Sequence, residues 1–192
     1  MGKIFYVMGK SASGKDTIFK KILEQVPELK TVVPYTTRPI RSGETDGVEY
    51  HFATEDQLKQ LDRDGKIIEW RTYQTVFGPW SYSTVNDGQI DLSKQDYLMI
   101  GTLESYEKTR KYFGKENLVP LYIEVEDGER LTRALSREKE QDSPKYAELC
   151  RRFLADEDDF DEKKLSEADI DVRYENGDMD RCLKKILEII RA

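Results

Sequence analysis

Residues Ile4-Phe5-Tyr6-Val7-Met8 form an unbroken apolar run that stops at Gly9. A run of that length closed by glycine predicts a buried strand over 3–8. Downstream, Ile18 and Ile22, and Phe19 and Leu23, recur at helical spacing and predict a helix over 15–26. The same two patterns alternate to the end of the chain. Strand-like runs fall at 66–70, 96–101, 118–125 and 169–174, and helical patterns at 54–64, 103–113, 127–140, 145–160 and 178–191. Strands alternating with helices predict an α/β fold with a parallel sheet covered on both faces. Two stretches break the rhythm, 31–52 and the aromatic segment YQTVFGPWSYSTV (73–85). They predict a small β-rich lobe inserted into the α/β core. The polar segment REKEQDSPKYAE, with a helix start expected at Ser143-Pro144, reads as a mobile arm joining two helices.

Composition narrows the classes. At 192 residues the chain suits one domain with a substantial core, and it shows no internal repeat or low-complexity segment. Hydrophobic residues make up 38% and charged ones 36%, no run approaches a membrane span, and the N-terminus lacks a signal-peptide pattern. The formal net charge of −7 argues against broad nucleic-acid binding, so local clusters of Arg and Lys become the informative positions. Cys150 and Cys182 lie in helical patterns without metal-ligand spacing, as expected of reduced thiols in a cytoplasmic protein. His51 is the single histidine, which argues against a histidine-based metal site or triad.

Between the first strand and the first helix lies GKSASGKD, with the spacing G-x-x-x-x-G-K from Gly9 to Lys15. Glycines let successive N–H groups of Ser11, Ala12, Ser13 and Gly14 turn into one concavity that suits phosphate oxygens. The helix N-terminus adds partial positive charge, and Lys15 a mobile cation for β- and γ-phosphates. Thr17 or Asp16 is placed to face Mg²⁺, although Asp16 stands where a Ser or Thr is usual after the lysine. The bland alternative is a helix start preceded by flexible residues. The apolar strand before the loop and the helix after it favour a phosphate-binding loop.

A second candidate anion site is the loop TTRPIRSGETDGVEYHF (36–52), with Arg38 and Arg41 three residues apart and Tyr50 and Phe52 closing it. Arginine forks suit phosphate. Taken alone, solvated arginines paired to Glu44 or Asp46 are the better reading. However, Thr36, Thr37, Arg38, Arg41, Glu44, Gly47, Tyr50 and Phe52 meet every position of the signature T-[ST]-R-x-x-[KR]-x-x-[DE]-x-x-G-x-x-Y-x-[FY]. In this and in the phosphate loop the chain resembles the guanylate kinase family, along nearly its whole length.

The resemblance implies a P-loop nucleoside-monophosphate kinase fold. A parallel-sheet core flanked by helices (1–33, 86–126 and 161–192) would carry a small β-rich GMP-binding lobe (34–85) and a helical lid (127–160). It implies ATP, with Mg²⁺, as donor and GMP as acceptor. Arg38, Arg41 and Tyr50 would hold the acceptor phosphate, with Glu44 and Phe77 in the same site. Glu69, in IIEW, would read guanine, where the plain alternative is an edge-strand surface glutamate. Arg133 and Arg137 lie four apart in RLTRALSRE and would close over the transferring phosphoryl group, although on their own they read as solvated, with Glu129 pairing to Arg133. Arg152 matches a third lid arginine, with the adjacent Arg151 as the ambiguity. Asn176, in YENGD, matches a residue near the donor adenine, although Asn-Gly is also a common turn. Lys15, Arg38, Arg137 and Arg152 are the implied catalytic residues.

Three departures from the family pattern stand out. In FGPWS, within a segment one residue longer, Pro79 offers no donor where Ser or Thr helps read guanine. Ile100, Gly101 and Thr102 replace acidic residues at the end of LMIGT, and Asp16 is the third. They keep a second reading open, a kinase for another nucleotide or a sugar phosphate. A third, a non-catalytic guanylate-kinase-like module, is opposed by Lys15, which a scaffold does not need. The oligomeric state is not written in these patterns.

Overall fold

The computed structural model describes residues 2–41, 43–75 and 78–192. The first apolar run becomes strand β1 (Ile4–Met8), buried at all five positions, and leads through the glycine loop into α1 (Lys15–Gln25). Short strands β2 (Lys30–Thr31), β3 (Tyr35–Thr36) and β4 (His51–Phe52) precede α2 (Glu55–Arg63). A capping box between Thr54 and Gln57 starts α2. The hairpin β5 (Ile67–Thr75) and β6 (Gly78–Val85) follows, then β7 (Tyr97–Ile100) and α3 (Leu103–Phe113). A single 3₁₀ turn leads to β8 (Leu118–Glu124), and the chain continues as α4 (Asp127–Lys139), α5 (Tyr146–Asp159), α6 (Glu162–Glu167), β9 (Arg173–Glu175) and α7 (Met179–Ile190).

Five strands form a parallel sheet in the order β2-β7-β1-β8-β9. Alternation along β1 divides the core. Ile4, Tyr6 and Met8 pack with Leu103, Tyr106 and Leu165 on one face. Phe5 and Val7 pack with Ile18, Ile22, Leu183 and Ile186 on the other. Ile18 and Ile22 are fully buried, each stabilising the α1–sheet contact by roughly 2 kcal/mol. Among the described residues, no helix is long and apolar enough to cross a membrane.

Three expectations are corrected. The run at 66–70 does not join the parallel sheet. It extends to Thr75 and pairs antiparallel with β6 in a second sheet, ordered β4-β3-β6-β5. β5 and β6 adjoin in sequence with Thr75 facing Gly78, and a hairpin is antiparallel by construction. A register shift between Ile67 and Glu69 places two consecutive residues, Ile68 and Glu69, in buried positions. The strand expected over 169–174 is reduced to Arg173–Glu175, because Asp161 caps α6 and Asp169 turns the chain with φ of 55°. The second helix of the α4–α5 hairpin starts at Tyr146, two residues beyond Pro144, and the Lys145 N–H bonds to the Glu138 carboxylate across the turn.

Candidate active site

The loop between β1 and α1 needs its glycines sterically. A Cβ on Gly9 would lie 2.4 Å from the Ile123 carbonyl oxygen, and one on Gly14 2.5 Å from Asn176 Nδ2. Ala12, between them, has φ of 63°, a left-handed conformation that a non-glycine residue adopts at a cost of about 1–2 kcal/mol. Beneath the loop, Asn176 is buried and donates from Nδ2 to the Ser13 carbonyl at 2.8 Å. The buried Ser13 Oγ and Asn176 Oδ1 have no hydrogen-bond partner. Such groups cost about 1–3 kcal/mol each, and they cluster where a ligand is taken up. Lys15, Asp16 and Thr17 open α1, with Lys15 Nζ 3.8 Å from Asp16 Oδ2. Asn176 thus acts here on the loop backbone, and its carbonyl receives Arg133 Nη2 at 2.8 Å.

The helical hairpin clamps this loop through residues that sequence reasoning passed over. Arg130, 1% exposed, reaches Asp127 Oδ1 at 2.9 Å, Glu157 Oε1 at 2.6 Å and Asp156 Oδ2 at 3.3 Å, and stacks over Phe153. Its Nη1 also donates to the Ser11 carbonyl at 3.3 Å. Asp156 in turn accepts from the Ser11 N–H at 2.7 Å, and Lys10 pairs with Glu157 at 2.8 Å. The signal available in sequence was the pairing of basic residues in the first helix with the acidic run ADEDD in the second.

Arg130→Met therefore strands Asp156 beside the loop without a cation. Breaking a buried ion pair costs about 3–5 kcal/mol, and the partial exposure of Asp127 and Glu157 sets the expectation near the lower value. The melting temperature should fall by roughly 6–12 °C for a chain of this size. Proteolysis should begin within 127–160. An unchanged melting curve and cleavage pattern would show that the clamp contributes nothing.

The lid arginines separate in space. Arg133 pairs with Glu129, as the plain reading expected. Arg137 and Arg152 instead line a cavity of about 710 Å³ together with Ser11, Arg41 and Arg130. Arg152 Nη2 donates to Ser11 Oγ at 3.2 Å, while Arg151 forms a two-bond pair with Glu148 away from the loop. That distinguishes the adjacent pair.

Arg38 and Arg41 do not form one fork. Arg38, 3% exposed, binds Glu44 through both terminal nitrogens at 2.8 and 2.7 Å and lies over the rings of Tyr50 and Phe52. The Arg38 guanidinium holds the Glu44 carboxyl down to about 2. This is the ion pair that the isolated motif suggested. Arg38 organises the loop, and Arg41 faces the cavity with Arg137 and Arg152. Thr36 and Thr37 anchor the loop by hydrogen bonds to the backbone of Ser81.

A smaller cavity of about 240 Å³ lies between the two sheets, lined in part by Tyr6, Tyr50, Glu69, Arg71, Thr84 and Ile100. Glu69 is 3% exposed, so it is a pocket-wall residue and not an edge-strand surface glutamate. Its carboxylate accepts from Arg71 Nε at 2.8 Å and from the Thr84 hydroxyl at 3.0 Å. Neither partner was singled out in the sequence. Phe77 lies outside the described residues.

A parallel sheet carrying a glycine loop, a helical hairpin closed on that loop, and a second sheet facing a buried carboxylate define the P-loop nucleoside-monophosphate kinase fold. The fold is similar to the crystal structure of guanylate kinase from Anaplasma phagocytophilum, with a TM-score of 0.66 and 21% identity over 99% of this chain and 85% of that one. A guanylate kinase family model matches residues 1–192, and the chain belongs to the guanylate kinase family. It is 27% identical over 196 residues to the guanylate kinase of Chromobacterium violaceum, covering 100% of this chain and 86% of that protein. It is 30% identical over 115 residues to that of Helicobacter hepaticus, where the match covers 59% of this chain and 56% of the relative.

Proposed function

We propose that this protein transfers the terminal phosphoryl group of ATP to GMP, forming ADP and GDP. The observation that carries the reading is the convergence of Ser11 from the phosphate loop, Arg41 from the acceptor loop, and Arg137 and Arg152 from the helical hairpin on one cavity. Phosphoryl transfer asks little covalent chemistry of a protein; positioning and charge stabilisation suffice. In this reading the loop amides and Lys15 hold the donor phosphates, and Arg41 meets the acceptor phosphate from a loop that Arg38, paired to Glu44 and lying over Tyr50, holds in shape. Arg137 and Arg152 offset charge on the moving group, while the closed hairpin excludes water. Residues 34–85 serve as the acceptor lobe and 127–160 as the lid on a core of 1–33, 86–126 and 161–192.

Among the described residues, no cluster of three or more His, Cys, Asp or Glu side chains could hold a metal alone. That donor set fits Mg²⁺ arriving with ATP, since Mg²⁺ keeps several waters and takes few protein ligands. Asp16 and Thr17 are the residues that would hold it, and it would neutralise charge on the β- and γ-phosphates. The reduced-thiol character of Cys150 and Cys182 fits action in the cytoplasm, with free nucleotides as the only partners required.

A coupled ADP-release assay with ATP and a panel of GMP, AMP, UMP and sugar phosphates tests the proposal. Turnover should be highest with GMP. Turnover with another acceptor instead would reassign the protein as a related small-molecule kinase, and no turnover with any would make it a binding module.

A further inference from the structure

The acceptor pocket holds a charged residue that the family signature does not contain. Arg71 lies two residues from Glu69 on β5, so both side chains project from the same face of the strand. Both line the 240 Å³ cavity, and among the described residues they are the only charged ones lining it. Arg71 Nε binds Glu69 Oε2 at 2.8 Å, Nη2 reaches Glu69 Oε1 at 3.4 Å, and Nη1 donates to Thr102 Oγ1 at 2.9 Å. A guanidinium has five N–H donors, so these bonds leave one on each terminal nitrogen for a ligand.

The surroundings explain why an arginine serves here. Pro79, paired with Gln74 toward the far end of the hairpin, does not line this cavity, contrary to the expectation that it faces guanine; Ile100 and Gly101 bring apolar wall where acidic residues were expected. No larger residue fits at 101. A Cβ there would lie 2.3 Å from Tyr6 Oη and 2.5 Å from Ser105 Oγ. The Thr84 hydroxyl already donates to Glu69, and the Tyr6 hydroxyl is paired with Ser105 at 2.6 Å. Thr102, which follows Ile100 and Gly101 in the same departure, is the residue that anchors Arg71.

We propose that Arg71 is a specificity-determining residue that donates to the 6-carbonyl of the acceptor purine while Glu69 accepts from the adjacent N1–H. The inference rests on the GMP reading above and adds a second contact to it. A strand presenting an acceptor and a donor side by side complements an oxopurine edge, where a carbonyl adjoins an N–H. Adenine reverses both groups. Its 6-amino group would meet the guanidinium, and its N1 lone pair the carboxylate, so it is rejected twice. Thr102 and Glu69 hold the guanidinium in place before substrate arrives, which spares the cost of ordering a long side chain on binding.

The test compares GMP with 6-thio-GMP, which keeps N1–H and the 2-amino group but carries a weaker acceptor at position 6. The unaltered protein should favour GMP in kcat/KM by about tenfold, the usual scale for a hydrogen bond to a charged group. Arg71→Met should bring that ratio close to one with KM for ATP unchanged. Arg71→Lys, which keeps a cation beside Glu69, should fold normally and give an intermediate ratio. If either folded variant lowers use of both acceptors equally, with the ratio intact, Arg71 is only structural and the proposal is overturned. If the unaltered protein does not phosphorylate GMP at all, the functional reading fails first, and this inference goes with it.

Discussion

Lys15→Ala should lower turnover with ATP and GMP by about a hundredfold or more while the protein stays folded. The ammonium group stands at the first position of α1, directly after the loop whose Gly9 and Gly14 admit no side chain. Among the described residues its one ion-pair neighbour is the exposed Asp16, at 3.8 Å. Alanine is favourable in a helix, which leaves the loss confined to the phosphates. Removing one preorganised group aimed at developing charge commonly costs two to three orders of magnitude in rate. Turnover and a melting curve together give the answer. Near-normal activity in the folded variant would mean that the loop has been misread.

Glu69→Gln should have the second largest effect. The carboxylate is buried at the wall of the acceptor cavity, where Arg71 and Thr84 hold it. Guanine presents N1–H and a 2-amino group that one carboxylate accepts together, and a carboxamide replaces one acceptor with a donor. A hydrogen bond to a charged group contributes about 1.5–3 kcal/mol, so kcat/KM for GMP should fall on the order of a hundredfold. The preference for GMP over AMP should stay within the roughly 10⁴-fold ceiling of such sites. KM for ATP should not move, because the donor loop lies apart from this cavity. An inert substitution, or equal use of GMP and AMP by the unaltered protein, would sink the guanine assignment.

Local features were readable from residues alone. The strand, glycine loop and helix of 4–25 are contiguous, and each is governed by neighbours within a few positions. The helices at 103–113 and 127–139 follow periodicity in the same way. Arg38 was readable both as a phosphate fork and as the partner of Glu44 or Asp46, because a fork suits phosphate and carboxylate equally, and folding chose Glu44. Apolarity made the run at 66–70 readable as a strand but names no partner strand, and only the resemblance set it within the lobe at 34–85 rather than in the parallel sheet. Arg130 left only the trace of basic residues in one helix set against the acidic run ADEDD in the next. Beyond Asp127, three residues away, its partners lie 26, 27 and 119 residues away, in Asp156, Glu157 and Ser11.

The sequence by itself determined the α/β alternation, the phosphate loop with Lys15, and the acceptor-loop signature from Thr36 to Phe52. These depend on backbone conformation and short-range spacing, which neighbouring residues set. The tertiary structure alone decided which charges act where. It turned Arg137 and Arg152 to the cavity, paired Arg133 and Arg151 with glutamates on their own helices, buried Arg130 against the loop, and set Arg71 beside Glu69. An arginine's role depends on which carboxylate, carbonyl or solvent its guanidinium meets after folding, and chain distance does not encode that meeting.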